Sequence, residues 1–168
     1  MTPAILVMIS MMWIPLGLLF LGKGEAKSCG FMTSLVGIMT LIAAFYQSAN
    51  ADLFTGAALF VFGILYLSVG YALLTGVEDM RSIANAALVV GLVCAISSYM
   101  LFTGTANVAP VNYLGFMFAA FTVLCVAVFG NGYGKISAPV VAWLLIVEAL
   151  VCLILPAYTL MGSGTLPF

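Results

Sequence analysis

The chain has 168 residues, of which 65% are hydrophobic and 5% charged, with a formal net charge of −1. Soluble domains carry about 25% charged residues, so this composition excludes an ordinary water-soluble fold and makes a bilayer the sensible solvent. With no basic patch it excludes nucleic-acid binding, and with no histidine and no CxxC pair among Cys29, Cys94, Cys125 and Cys152 it offers no zinc or other metal centre.

A membrane-crossing helix needs about 20 predominantly apolar residues. Six such runs follow one another, at 3–22, 29–50, 53–75, 82–103, 111–130 and 138–161. The expectation is all-α: a polytopic membrane protein, residues 1–168 forming a single six-helix transmembrane domain. The first run has no basic stretch before it and is long for a leader core, so it reads as the first membrane helix. It contains Trp13 and Pro15, the proline removing a backbone donor and bending the helix. Trp13 has two readings, a pore-facing aromatic or an interface anchor.

The third run, "FTGAALFVFGILYLSVGYALLTG", places Phe62 and Tyr66 four residues apart on one face, with Gly63 and Gly70 on another. The aromatic pair lines a narrow hole or packs ordinarily; the glycines admit a close neighbouring helix. The fifth run has Asn112 near its start, a small face of Gly115, Ala119 and Ala120, and several phenylalanines, Phe116 among them. The last run, "PVVAWLLIVEALVCLILPAYTL", holds a lone carboxylate, Glu148. An ionised carboxylate in hydrocarbon costs several kcal/mol or more, so Glu148 faces protein, water or solute. Helical spacing sets Leu144, Leu145, Cys152 and Leu155 on or beside its face and Pro156 two turns on, where the missing i−4 hydrogen bond bends the helix. Glu148 reads as a lumen or binding group, the alternative being a carboxylic acid that fixes helix packing. Trp143, like Trp13, is a pore-facing aromatic or an interface anchor.

Every basic residue falls in an odd-numbered break: Lys23 and Lys27 in the first, Arg81 in the third, Lys135 in the fifth. The positive-inside rule places those breaks in the cytoplasm and both termini outside. Short loops leave no room for an extramembrane domain, and no GxxxxGK[ST] loop is present. One carboxylate in the spans, without His or Lys, gives no couple for intramembrane hydrolysis, so the chain does not read as an enzyme.

Three stretches together resemble the AmiS/UreI family of urea and short-chain amide channels: "GKGEAKSCGFMTSLVG" with Lys23, Lys27, Ser28, Met32, Val36 and Gly37; "FGILYL" with Phe62, Gly63, Tyr66 and Leu67; and Glu148 followed by Pro156 and Ala157. The resemblance covers nearly the whole chain. It implies passive permeation of urea or small neutral amides across a bacterial cytoplasmic (inner) membrane, without a cofactor. It also implies a homohexamer with one pore per protomer and lipid filling the ring, linked functionally to a cytoplasmic amidase or urease. Phe62, Tyr66 and Glu148 are the constriction residues it implies, and Leu144, Cys152, Trp143, Trp13 and Phe116 are taken with them along the path. The urea-channel branch carries tryptophans in the fifth helix; here that helix has none and offers Phe116, Phe118, Phe121 and Leu124, which leaves a pore wider or shaped for acetamide-like solutes. The missing histidine argues against acid gating of the family's histidine-rich kind. Two rival readings are a proton-coupled small-solute transporter subunit using Glu148 and a structural membrane subunit.

Overall fold

The computed structural model describes residues 2–168. Seven α-helical segments and one π-helical segment make six spans: α1 (Thr2–Phe20), α2 (Ala26–Ala49), α3 (Leu53–Thr75), α4 (Arg81–Thr103), α5 (Asn112–Gly132), and a broken last span of α6 (Ala138–Glu148), a π segment (Ala149–Ile154) and α7 (Leu155–Ser163). All six are long and apolar enough to cross a membrane. The observed ends fall within three residues of those read from the sequence, because charged and turn-forming residues interrupt the apolar runs sharply. An even number of spans returns both termini to one side.

Local chemistry sets the helix ends. Glu25 caps α2, accepting from the Lys27 and Ser28 amides at 2.8 and 2.6 Å. Its carboxyl is held below the usual range by the Ser28 hydroxyl first, then by the Ser28 and Lys27 amides. Asp52 caps α3 through the Thr55 amide. Gly76 ends α3 in the left-handed region at φ 72°, and the Val77 amide returns to the Ala72 carbonyl.

With no water to force apolar surface together inside a bilayer, helices associate by close backbone approach and interhelical hydrogen bonds. The α2–α3 hairpin uses the first device. A Cβ on Gly30 would stand 2.9 Å from the Gly70 carbonyl, and one on Gly37 would stand 2.9 Å from the Leu67 amide. The α4–α5 hairpin adds the second: the Ser98 hydroxyl donates to the Gly115 carbonyl at 2.8 Å. Helix α1 lies against α2 and the whole broken last span, with Met12 and Trp13 each 2% exposed. The outer surface is an apolar belt of side chains such as Phe31, Ile42, Phe45, Ile96 and Tyr99, the inverse of a soluble protein and the surface that lipid or another copy covers. Pro15 is accommodated within a continuous α1.

The last span departs from the sequence reading. After Glu148 the backbone widens to the π register, the Leu155 amide reaching back to the Leu150 carbonyl, five residues away. The lost donor of Pro156 therefore orphans Val151 (i−5) rather than Cys152 (i−4). Tyr113, 1% exposed, supplies the substitute from α5 by donating its hydroxyl to the Val151 carbonyl. The extra residue in the turn also rotates the face beyond Glu148. Leu155, expected beside it, is 46% exposed, while Leu153 is 1% exposed.

Candidate functional site

Two apolar cavities lie end to end inside the bundle. The first, of about 130 Å³, opens toward the odd-numbered loops and is lined by Leu16, Phe20, Ile83, Leu124 and Leu145 among others. The second, of about 140 Å³, lies toward the even-numbered loops, between Ile5, Phe54, Leu101, Leu114 and Leu153. Three residues line both: Trp13 from α1 and Phe62 and Tyr66 from α3. They form the partition, or aperture, between the cavities.

Spacing explains the aperture. Phe62 and Tyr66, one turn apart, stack obliquely at 5.7 Å. Trp13 meets them from the opposite wall, its indole N–H donating to the Tyr66 hydroxyl oxygen at 3.1 Å. Phe121 of α5 closes the third side, edge-on to Trp13 at 5.2 Å and to Phe62 at 5.8 Å. These rings are 2–6% exposed. The Trp13–Tyr66 bond satisfies the one indole donor, as a buried tryptophan requires. It also leaves the tyrosine's own proton without an acceptor among the described residues.

Polar groups are few elsewhere. Thr55 borders the second cavity. Asn131 borders the first, its side-chain N–H donating to the Ile136 carbonyl at 2.9 Å, which leaves its amide oxygen as an acceptor. Met80, Asn131 and Gly132 also border a shallow polar depression with Glu78, Asp79 and Arg81, so the first cavity leads to a charged mouth. There Asp79 and Arg81 pair at 2.6 Å. The Arg81 guanidinium holds the Asp79 carboxyl down at about 2.

Glu148 lines neither cavity. It is 6% exposed, level with the aperture, flanked by Leu145 on the first cavity and Leu153 on the second. Its Oε2 is the buried side-chain oxygen or nitrogen with no hydrogen-bond partner among the described residues. Cys152, 1% exposed, packs beside it and lines neither cavity.

The remaining sequence candidates separate. Trp13 is in the partition, away from any interface position. Trp143 is 59% exposed and forms an outward groove with Pro139, Val140, Leu144 and Val147; it lies on the side of α6 opposite Val141 and Leu145, 0% and 3% exposed, while Leu144, partly buried against the core, lines neither cavity. Phe116, 40% exposed, packs on Tyr113 and Phe168 at one end of α5. The inward face of α5 carries Met117, Phe121 and Leu124 instead. Phe121 and Leu124 were among the residues this helix offered; Met117 was not, though its i, i+4, i+7 spacing with them would have found it, because an all-apolar helix gives no polar face to set against it. Tyr113 and Asn131 were also missed; each is a polar group ending or opening an apolar run.

These features define a class: a six-span helical membrane protein whose single chain holds two nearly apolar cavities that meet at one aromatic partition. The profile of the AmiS/UreI family transporter matches residues 1–163, and the chain belongs to that family. Two solved structures share the fold. The crystal structure of the urea channel from the human gastric pathogen Helicobacter pylori superposes with a TM-score of 0.81 at 19% identity, over 98% of this chain and 99% of that one. A cryoEM structure of the Helicobacter pylori urea channel in a closed state gives 0.85 at 19% identity, over 99% and 100%. No curated protein matches the chain.

Proposed function

We propose that this chain is a passive channel for urea and small neutral, acetamide-like amides, with one pathway through each protomer. The observation that carries the reading is the pair of cavities meeting at Trp13, Phe62 and Tyr66 within a single chain. A small amide is planar and polar, and bare hydrocarbon admits it slowly because its hydrogen bonds to water are lost. Aromatic faces accept the flat solute while the free Tyr66 proton meets its carbonyl. The Asn131 oxygen accepts from its N–H groups at the mouth of the first chamber. Ions lose far more on entering, since no ring of compensating charge lines the route. Few polar contacts keep binding weak, so the solute leaves.

Glu148 is carried in this reading as the acceptor that the opened aperture offers. A buried carboxyl oxygen without a partner is costly, and its level beside the partition suits a solute N–H that arrives when the rings part. The same orphaned oxygen is what favours the rival, a proton-coupled transporter, since a membrane carboxyl can carry a proton. Its absence from both cavity walls weighs against a proton carrier in constant contact with the path.

The positive-inside rule, applied to Lys23, Lys27, Arg81 and Lys135 on the odd loops, supports a cytoplasmic side for those loops, with the first cavity and its charged mouth inward and the termini outward. The resemblance extends the proposal to a homohexamer in a bacterial cytoplasmic membrane, feeding a cytoplasmic amidase or urease.

The test is stopped-flow light scattering on proteoliposomes with urea, acetamide, formamide and glycerol. The amides should equilibrate faster than glycerol, driven by their own gradient, with rates unchanged by an uncoupler. Accumulation against a gradient that an uncoupler abolishes would establish the rival instead.

A further inference from the structure

The first cavity and the shallow polar depression at its odd-loop end share Met80, Asn131 and Gly132. These residues form the neck between the membrane interior and the charged mouth. Asn131 is pinned by the hydrogen bond it donates to the Ile136 carbonyl at 2.9 Å. Gly132 has no side chain, and a Cβ there would run into the Cβ of Ala84, so α4 and α5 cross at that point without room to spare. Met80 is the remaining member, and it alone brings a long, unbranched side chain to the neck.

Its place in the chain is not explained by the helix. Met80 is the N-cap of α4, a position that favours Ser, Thr, Asp or Asn, and its side chain makes no capping bond. Asp79 caps from one position earlier, its carboxylate accepting from the Arg81 amide at 3.1 Å and from the guanidinium at 2.6 Å. The Met80 carbonyl accepts from the Ala84 amide at 2.9 Å. The backbone is therefore held on both sides, and the thioether, on three rotatable bonds, is left to swing. Helical spacing aims it, because Ile83, Ala84 and Ala87 on the same face of α4 line the first cavity with it.

We propose that Met80 is the inner gate of the passage: its side chain sets the width of the neck and so selects, by size, which amides pass between the first cavity and the charged mouth. Laid across the neck, the thioether closes it; laid along the α4 face, it opens it. The sulfur is polarisable and only a weak acceptor, so it contacts the flat face of an amide without holding it.

The gate deepens the channel reading and rests on it. The experiment is stopped-flow light scattering on proteoliposomes of the full-length chain, with flux normalised to assembled protein. Met80→Trp should lower urea flux about tenfold as a bulky ring fills the neck, whereas Met80→Leu, close in volume, should keep it within about twofold. Aperture and gate act in series, so a wider gate shows most when the aperture no longer limits. Adding Met80→Ala to Phe62→Ala should therefore raise the glycerol-to-urea ratio by a further factor of about three, the scale of removing a few apolar atoms from a pocket wall. Urea flux unchanged by Met80→Trp, flux lost equally in Met80→Leu, or a ratio unmoved in the double variant would overturn the gate while leaving the channel reading in place. An unsubstituted chain with no urea flux above that of empty liposomes would refute the channel reading, and the gate with it.

Discussion

The aperture and the Glu148 segment stand at the same depth and treat polarity in opposite ways. At the aperture every polar group but one hydroxyl proton is paired: the Trp13 N–H meets the Tyr66 oxygen, and aromatic edges meet aromatic faces. On the last span the backbone is paired with equal care, Tyr113 replacing the donor that Pro156 lacks. The Glu148 carboxyl, between the two, has an oxygen without a partner. Close to a backbone carbonyl that a neighbouring helix satisfies, an unsatisfied carboxyl oxygen stands out. Folding alone would favour an apolar side chain there, so the contrast makes Glu148 the group on which the proposed solute contact is best tested.

The largest expected effect comes from removing that group. Glu148→Leu should stabilise the assembled protein by about 1–3 kcal/mol, because a costly orphan disappears, and should lower amide flux per assembled protein about tenfold, the cost of roughly 1.4 kcal/mol at the barrier. Thermal unfolding in detergent and flux normalised to recovered oligomer read the two effects separately. A fall in stability with normal flux in the surviving protein would make Glu148 packing glue. Tyr66→Phe sharpens the comparison from the other side. It strands the Trp13 N–H, so stability should fall by about 1–3 kcal/mol, and flux should fall severalfold as the free donor is lost. Tyr113→Phe removes the substitute donor for Val151; stability should drop by about 1 kcal/mol, and flux should fall less than in Tyr66→Phe, since Tyr113 touches neither cavity.

The smallest effect is that of pH. The chain has no histidine, and two acids at the membrane surface, Glu25 and Asp79, are held below the usual carboxylate range by hydrogen bonds and by Arg81. A depressed folded-state value means that their stabilisation is present above the ordinary carboxylate range and is lost as pH falls, for Asp79 between its ordinary 3.8 and about 2. Flux measured between about pH 5 and 7.5 should therefore change less than about twofold. A steep acid-activated rise that survives Glu148→Gln would contradict this.

Six spans were legible because apolar runs of membrane length are bounded by the charged residues and most of the turn formers. The aperture was half legible: Phe62 and Tyr66 share a face by spacing alone, but their partners on α1 and α5 lie far away in sequence. Trp13 and Trp143 look alike in their runs, and only packing sends one inward at 2% exposure and the other outward at 59%. Phe116 and Phe121 pose the same problem on a helix that is apolar on every side. The π segment was not legible, since Ala149–Ile154 is apolar in either register; the signal was Pro156, read there with the α-helical i−4 acceptor.

The central claim is that solute crosses this chain between Trp13, Phe62 and Tyr66. Phe62→Ala tests it most directly, by opening the partition while leaving the Trp13–Tyr66 bond in place. The ratio of glycerol to urea permeability in proteoliposomes, normalised to assembled protein, should rise about tenfold as the steric part of the discrimination, on the order of 1–3 kcal/mol, is removed. An unchanged ratio in well-assembled protein would mean that solute travels by another route, and the account of the aperture would fail.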